Sequence, residues 1–172
     1  MPSQKAPPPS STCRWTLKRL FTMPTLCYDT LEKLSRLPRF EGFRRTVEHI
    51  LAERGEEIAF VVLFGSMAKG TWLPFSDYDL LIGLQGDDGK RFIDRLGEFQ
   101  RLLHTDVDVF PYSRSEWQKM FRDLHLLMLE ALDSGIVLVD DGSFAQMRTQ
   151  FEGWLREGVV QRRGRGWKMK VG

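Results

Sequence analysis

The sequence predicts an α/β fold of the α+β kind, in which a small mixed β-sheet is flanked by helices. Short apolar runs bounded by turn residues predict the strands. Apolar residues that recur every three or four positions, between capping residues, predict the helices. A chain of 172 residues with 42% apolar side chains can build one hydrophobic core, so a single compact domain is expected.

Four strands are predicted from the apolar runs. The first is the uncharged stretch "IAFVVLF", which is apolar enough to be covered on both faces of the sheet. In the second strand, alternation places Asp77, Asp79 and Leu81 on one face. The third contains alternating valines and is closed by Pro111. The predicted ranges are 58–64, 76–84, 105–110 and 136–139.

Helices are expected between and after these strands. Apolar positions at helical spacing begin at Phe40 and end at Gly55, a residue that suits a helix C-terminus. A second helical stripe covers residues 92–103. Two more helices are predicted at capping boxes, in which a glutamine follows a serine by three residues: Ser115 with Gln118, and Ser143 with Gln146. The helix from the first of these boxes is expected to continue to Gly135.

The two ends of the chain differ from the middle in composition. Residues 1–26 contain no acid and include three consecutive prolines, which predicts a disordered tail. Residues 161–172 are rich in Lys and Arg and are expected to form a basic C-terminal tail, with weak nucleic-acid contact as an alternative role. The domain itself is therefore expected at residues 27–160.

Charge and cysteine content exclude several classes of protein. The 25 basic and 23 acidic side chains give a net charge of +2, which does not create the broad positive field of a dedicated nucleic-acid binder. The two cysteines have no metal or redox spacing, which argues against a secreted disulfide framework and favours the cytoplasm. No apolar run approaches the roughly 20 residues of a membrane span, so no membrane association is expected.

Three aspartates are the candidate metal ligands and catalytic groups. Asp77 and Asp79 share one strand face about 6.6 Å apart along the backbone, so both side chains can reach one hard cation. Two carboxylates beside an apolar sheet repel each other unless a cation compensates them, which predicts a magnesium site. Asp108 lies between two valines and is the candidate third ligand, with Asp106 as the alternative on the same face. One of three carboxylates can also take the proton of an attacking hydroxyl.

A candidate anion-binding corner follows the first strand. Gly65 and Ser66 close that strand, and the next residues can begin a helical turn, so free backbone N–H groups and the Ser66 hydroxyl would point at an anion. An anion cradle and a carboxylate-bound cation are the two halves of a nucleoside triphosphate site. A P-loop is excluded, because no lysine stands between Gly70 and Thr71.

The motif "GS", ten further residues and then "DYD", with a later strand in which Asp lies between apolar residues, resembles the nucleotidyltransferase superfamily typified by DNA polymerase beta. More narrowly, the chain resembles the minimal nucleotidyltransferases of bacteria and archaea, over roughly residues 60–110. The resemblance implies that family's mixed sheet flanked by helices. It also implies that Gly65 and Ser66 bind the triphosphate of ATP or another nucleotide. Lys69 stands where such proteins often have a basic residue, which implies a contact to a phosphate.

The resemblance further implies the chemistry and the acceptor. Asp77 and Asp79 would bind one or two Mg²⁺ ions, and Asp108 would be the third carboxylate and the general base. An acceptor hydroxyl would attack the alpha phosphorus, and a nucleoside monophosphate such as AMP would be transferred. Several minimal nucleotidyltransferases are antitoxins that modify a HEPN-type toxin, so a tyrosine or other hydroxyl of such a partner is the expected acceptor.

Several alternatives stay open. The acceptor can instead be an antibiotic or another small hydroxyl compound. A non-catalytic module would recognise a nucleotide or a partner protein through the same pocket. A glycosyltransferase also holds a metal with Asp-x-Asp, but it has no need of Gly65-Ser66 or of a third strand carboxylate. The acids can also bind only a stabilising ion. Template copying is not expected, because the chain is too short for the accessory domains of a processive polymerase.

Overall fold

The computed structural model describes residues 24–104 and 106–170. Apart from its last three residues, the expected N-terminal tail therefore lies outside the described part of the chain. The described ranges contain the helices α1 (Tyr28–Lys33), α2 (Phe40–Arg54), α3 (Gly65–Lys69), α4 (Phe92–Gln100), α5 (Arg114–Arg122), α6 (Leu126–Ser134) and α7 (Ser143–Glu157). They also contain the strands β1 (Ile58–Phe64), β2 (Tyr78–Leu84), β3 (Val107–Tyr112), β4 (Ile136–Asp140), β5 (Val160–Arg163) and β6 (Gly166–Met169).

The main sheet is mixed and has the strand order β3-β2-β1-β4. β1 pairs antiparallel with both β2 and β4, whereas β2 and β3 are parallel. Every residue of β1 is buried, as expected for an uncharged central strand that is covered on both faces. The predicted small mixed sheet is confirmed, and the four strands lie close to the predicted ranges.

Helices cover both faces of the sheet and give three layers. Alternation along β1 sends Val61 and Leu63 into one core, against α1, α2 and α4. The same alternation sends Phe60 and Val62 into a second core, against α5, α6 and α7. These layers confirm the predicted fold class. By the same rule Asp79 shares the second face with Leu81, at the point where β2 begins.

The long helix predicted from Ser115 to Gly135 is wrong, because the chain breaks into α5 and α6. Leu124 adopts a left-handed conformation with φ of +53°, and the N–H of His125 bonds to the carbonyl of Met120 at 2.9 Å. The apolar stripe continues through the break, which is why the sequence pattern suggested one helix. The break turns the chain so that α6 packs against α3 as well as against β1.

Both predicted capping boxes are wrong in detail. The box of α5 is formed by Ser113 and Glu116, two residues earlier than predicted. At α7 the first N–H groups are capped by Asp140 and not by Ser143. Its buried carboxylate accepts from the N–H of Phe144 at 3.0 Å and of Ala145 at 2.9 Å. A carboxylate of β4 thus fixes the start of the next helix.

β3 continues through Pro111, which had been expected to close it. β3 is an edge strand of the sheet, so a proline there removes no ladder hydrogen bond from an interior position. This extension carries the chain to the capping box of α5.

Residues 160–169 form the antiparallel hairpin of β5 and β6, in the segment where a basic tail was expected from residue 161. Val160, Trp167 and Met169 pack into or against the second core. The arginines of this segment therefore stand on a folded hairpin. In the part of the chain that the structure describes, no helix has the length and apolar character needed to cross a membrane.

Candidate active site

The strand register brings the predicted site residues to one edge of the sheet. Asp79 pairs with Phe64 of β1 on one side and with Asp108 of β3 on the other. Adjacent strands lie about 4.8 Å apart, so Asp79 and Asp108 are immediate neighbours on one face. Asp77 precedes β2 by one residue and is exposed, as is Asp108, whereas Asp79 is half-buried. All three predicted carboxylates thus lie at the same edge.

Gly65 lies directly against the Asp79 carboxylate. A Cβ atom added at position 65 would stand 2.3 Å from Oδ2 of Asp79, closer than any non-bonded contact allows. Gly65 also has a φ of +73°, which disfavours any other residue. The sequence places glycine here for both reasons. The corner after β1 and the Asp79 carboxylate are therefore in direct contact at this edge of the sheet.

The electrostatics of Asp79 confirm that the three carboxylates interact. Burial first, and then the negative charges of Asp108 and Asp77, together raise the pKa of Asp79 to about 6. None of the three side chains forms an ion pair with any residue within 24–104 or 106–170. A partly desolvated acid thus lies next to two like charges, and no cation of the described residues is paired with any of the three.

The donor set at this edge fits Mg²⁺ by its chemistry. Carboxylate oxygens are the hard ligands that Mg²⁺ accepts, and a divalent cation would relieve the repulsion that raises the pKa of Asp79. Within the described residues, no group of three or more His, Cys, Asp or Glu side chains is already arranged around a point where an ion could sit. Binding would therefore draw the side chains of Asp77, Asp79 and Asp108 closer together.

The predicted anion cradle begins at the end of β1. Helix α3 starts at Gly65, so the N–H groups of its first turn have no acceptor within the helix. Ser66 is half-buried, and its carbonyl accepts from the N–H of Thr71 at 3.1 Å, which closes the helix at Gly70. The first turn of α3 thus begins at Gly65, beside the Asp79 carboxylate.

Lys69, the predicted phosphate contact, lies on α3 with its ammonium group paired to the carboxylate of Glu130 on α6. Glu130 was not identified from the sequence. The two residues are 61 positions apart, so no local pattern could connect them.

Sequence reasoning also missed Arg39. This residue has a left-handed backbone with φ of +57°, its guanidinium donates to the carbonyl of Ser76, and its Nε lies 3.6 Å from Oδ2 of Asp106. Arg39 thereby connects the residue before Asp77 with the segment that leads into β3. Asp106, the alternative ligand, is the residue paired with Arg39, and Asp108 is the one opposite Asp79.

The loop between α3 and β2 presents large apolar side chains next to Asp77. Leu73 is 68% exposed and Phe75 is 90% exposed, with Trp72 beside them. The loop is held in a tight turn, because the N–H of Ser76 bonds to the carbonyl of Leu73 and the N–H of Leu73 bonds to Oγ of Ser76, both at 2.9 Å. A hydrogen-bonded turn therefore holds the exposed apolar side chains at the edge of the site.

A three-layer α/β fold whose sheet edge joins a Gly-Ser corner to three carboxylates defines a class of enzymes that handle nucleoside triphosphates. The model of the nucleotidyltransferase domain family matches residues 44–130, half of the chain, and this protein belongs to that family. It is a nucleotidyltransferase.

Three solved structures are similar to this chain at low sequence identity. A candidate nucleotidyltransferase from Sulfolobus solfataricus shares 18% identity over 64% of this chain and 83% of its own, with a TM-score of 0.44. A toxin–antitoxin complex with AMP-PNP shares 16% over 65% and 86%, with a TM-score of 0.44. A variant of the toxin–antitoxin MntA-HpeT, with two aspartates replaced by glutamates, shares 19% over 65% and 88%, with a TM-score of 0.42. No curated protein sequence matches the chain. Likenesses this remote carry no argument about substrates.

Proposed function

We propose that this nucleotidyltransferase transfers AMP from ATP to a hydroxyl group of a partner protein, with Mg²⁺ held by Asp77, Asp79 and Asp108. The observation that carries the proposal is the contact between Gly65 and the Asp79 carboxylate, with Asp108 opposite Asp79 in the sheet. This contact puts a candidate triphosphate corner and a candidate metal site within the span of one nucleotide. As the cysteine content predicts, we expect the reaction to take place in the cytoplasm.

Each group of site residues has a separate role in the proposed transfer. The N–H groups at the start of α3 and the Ser66 hydroxyl hold the triphosphate. Asp108 is exposed, so an acceptor hydroxyl can reach it, and the resemblance to minimal nucleotidyltransferases assigns it the role of general base; it therefore takes the proton. The acceptor oxygen then bonds to the alpha phosphorus, the bond from that phosphorus to the bridging oxygen breaks, and pyrophosphate leaves. Bound Mg²⁺ supplies positive charge to the phosphates.

A protein acceptor is supported by the apolar loop beside Asp77. Exposed apolar side chains that cluster at one place are typical of protein–protein contacts. Leu73 and Phe75 stand on a turn adjacent to the site, where a partner that presents a hydroxyl would touch them. A small antibiotic has no comparable need of this loop. The resemblance to minimal nucleotidyltransferases favours a HEPN-type toxin as the partner and a tyrosine or another hydroxyl residue as the acceptor.

The decisive experiment incubates the purified chain with labelled ATP, Mg²⁺ and the protein encoded by the neighbouring gene, and then weighs both proteins by mass spectrometry. We expect the partner to gain one AMP, and we expect the gain to disappear with a chelator or in Asp77→Asn and Asp79→Asn. Asp94→Asn, an exposed acid on α4 paired with Arg91, is the matched control and keeps full transfer. Retained transfer in both site variants contradicts the proposal. Binding of ATP without transfer to any protein or small hydroxyl compound favours a non-catalytic module.

The acceptor class has a separate test. Replacing Leu73 and Phe75 by serine removes apolar surface without touching the carboxylates, so the KM for the partner protein should rise while ATP affinity stays unchanged. An unchanged KM for the partner would contradict the role of this loop.

A further inference from the structure

Glu130 on α6 collects donors from three separate parts of the chain. Its carboxylate pairs with Lys69 of α3, accepts from Nη1 of Arg162 on β5 at 3.0 Å, and accepts from Nε1 of Trp167 on β6 at 2.9 Å. The Glu130 side chain is only 19% exposed. This carboxylate therefore connects the helix that starts at the Gly-Ser corner with the C-terminal hairpin.

Lys69 stands within reach of the anion cradle. Residues three apart on a helix lie on one face, so Lys69 is a neighbour of Ser66 on α3. The four-carbon stem of lysine lets its ammonium group move between partners on either side. In the structure the Lys69 ammonium group is paired with the Glu130 carboxylate, so an incoming triphosphate would compete with Glu130 for Lys69.

Glu130 keeps other partners if Lys69 moves away. Burial raises the pKa of Glu130, but hydrogen bonds from Lys69, Trp167 and Arg162 outweigh it, and the net pKa lies below its usual range. Arg162 is itself fixed, because its guanidinium lies 4.9 Å from the centre of the Trp167 ring and 3.0 Å from Oδ2 of Asp133. The charge of Glu130 therefore stays compensated by the hairpin when Lys69 is absent.

We propose that Lys69 exchanges its anionic partner when a triphosphate binds: Nζ leaves Glu130 for a phosphate oxygen, and Arg162 with Trp167 holds Glu130. Glu130 and the hairpin residue Arg162 are thus positioning residues, which set how readily Lys69 is released. The exchange rests on the proposed function, because that proposal places the triphosphate at Gly65 and Ser66.

The exchange predicts effects of opposite sign from two members of one network. Glu130→Gln removes the charge that competes for Lys69, so the nucleotide should bind more tightly. Arg162→Gln leaves Lys69 as the main cation on Glu130, so the nucleotide should bind more weakly. Partly exposed ion pairs of this kind correspond to about two- to fivefold changes in Kd. Damage to the fold alone would weaken binding in both variants.

The test measures the Kd of AMP-PNP with Mg²⁺ by calorimetry for the full chain and for these variants. Arg163→Gln is the matched control, because it removes the exposed arginine next to Arg162 on β5, which forms no ion pair within the described residues; we expect its Kd to change by less than about twofold. Trp167→Phe removes one donor to Glu130 while keeping a ring, so it should weaken binding slightly. It also serves in place of Arg162→Gln if that variant does not fold.

A second set of variants carries Lys69→Met, in which there is no ammonium to exchange. In this background Glu130→Gln and Arg162→Gln should leave the Kd of AMP-PNP unchanged. Shifts in the same direction for both variants, or shifts that persist without Lys69, overturn the exchange. If the opposite shifts occur but no transfer is found, the exchange stands and the proposed function fails. If transfer occurs but the Kd values do not respond, the exchange alone fails.

Discussion

β2 and β3 run side by side, and acidic side chains lie at both of their ends. Among the described residues, two acids at one end share a guanidinium, whereas the three candidate site carboxylates at the other end have no ion-pair partner. Where the strands begin, Asp77, Asp79 and Asp108 have no ion-pair partner among the described residues. Beyond the other ends, Asp88 and Glu116 both bind the guanidinium of Arg95, which is only 1% exposed.

The Arg95 cluster is fully satisfied. Its Nε and Nη2 atoms donate to Asp88 at 2.9 and 2.7 Å, and Nη1 donates to Glu116 at 2.7 Å. The carbonyls of Pro111 and Lys90 accept further hydrogen bonds at 3.1 and 3.0 Å. The hydrogen bond from Arg95 lowers the pKa of Asp88 to about 2, although burial acts in the opposite direction.

The two ends of the strand pair differ in whether the acids are paired with a cation, and this difference distinguishes a structural cluster from a candidate site. At the Arg95 end, burial of the acids is compensated within the chain, and the cluster fixes the loops after β2 and β3. At the Asp79 end, the pKa of the half-buried carboxylate is raised to about 6, because burial and two like charges act together. Carboxylates whose pKa is raised by burial and by like charges are typical of sites that bind a cation or a substrate.

After the complete losses expected at Asp77 and Asp79, the largest effect is expected at Asp108. Asp108→Asn removes both a charge and a proton acceptor at the edge of the site, so the rate of AMP transfer should fall by about 10³-fold. Single-turnover labelling of the partner protein measures it. Glu116→Gln, also an acid near β3 but at the Arg95 end, should leave the transfer rate unchanged while it lowers stability. A variant Asp108→Asn that keeps a tenth of the wild-type rate would remove Asp108 from the chemistry.

Gly65 gives the next largest effect and has a matched control at Gly70, the residue that ends the same helix. Gly65→Ala places a Cβ 2.3 Å from Oδ2 of Asp79 and must displace that carboxylate, so transfer should fall by about 10²-fold. Gly70 has nearly the same φ, +71° against +73°, but nothing lies within 4 Å of its added Cβ. Each variant should lose about 1–2 kcal/mol of stability to its left-handed backbone, Gly65→Ala should lose more because of its contact with Asp79, and only Gly65→Ala should lose transfer. Equal rates would mean that the contact with Asp79 has no catalytic meaning.

The comparison also explains what the sequence could predict. Hydrophobic alternation is a local signal, so the four strands of the main sheet, the helices α2 and α4, and the fold class follow from it. The acidic end of the site was also predictable, because Gly65, Ser66, Asp77 and Asp79 lie in one short motif. Asp108 could be predicted as a candidate from the sequence, because a charged residue between two valines of a predicted strand has no simple structural role.

The remainder depends on contacts between distant residues. Glu130 binds residues that are 61, 32 and 37 positions away, and no periodicity connects them. Arg39 and Asp106 both adopt left-handed backbones. Tertiary contacts impose this conformation, and it cannot be predicted from the residue types. The sequence predicts a tail instead of the hairpin at residues 160–169, because many charged residues surround the few apolar residues that pack. It predicts one helix across Leu124, because the apolar stripe continues through the break.

Asp88 provides the third prediction. Asp88→Asn replaces a carboxylate that takes two hydrogen bonds from buried Arg95, while Glu116 and two carbonyls remain. The free energy of unfolding should fall by about 2 kcal/mol, as measured by urea denaturation. The rate of AMP transfer, measured well below the melting temperature, should not change. Lost transfer in the folded variant would mean that the two ends of β2 are coupled.

The smallest effect has the opposite sign. In chelator-treated protein the charged Asp79 lowers stability above its folded pKa of about 6, so Asp79→Asn should be more stable than the wild type by about 1 kcal/mol near neutral pH. As the pH falls through about 6 the folded wild type takes up a proton that the unfolded chain, with its pKa near 3.8, does not, so the wild type gains on the variant down to about pH 4. Asp88 behaves in the reverse way, since its lowered pKa contributes stability above about pH 3.8 that is lost as the pH falls toward about 2. Urea midpoints of both proteins across this pH range measure the difference. A variant Asp79→Asn that is less stable than the wild type at every pH would mean that the chain itself compensates this carboxylate, and the contrast between the two ends of the sheet would disappear.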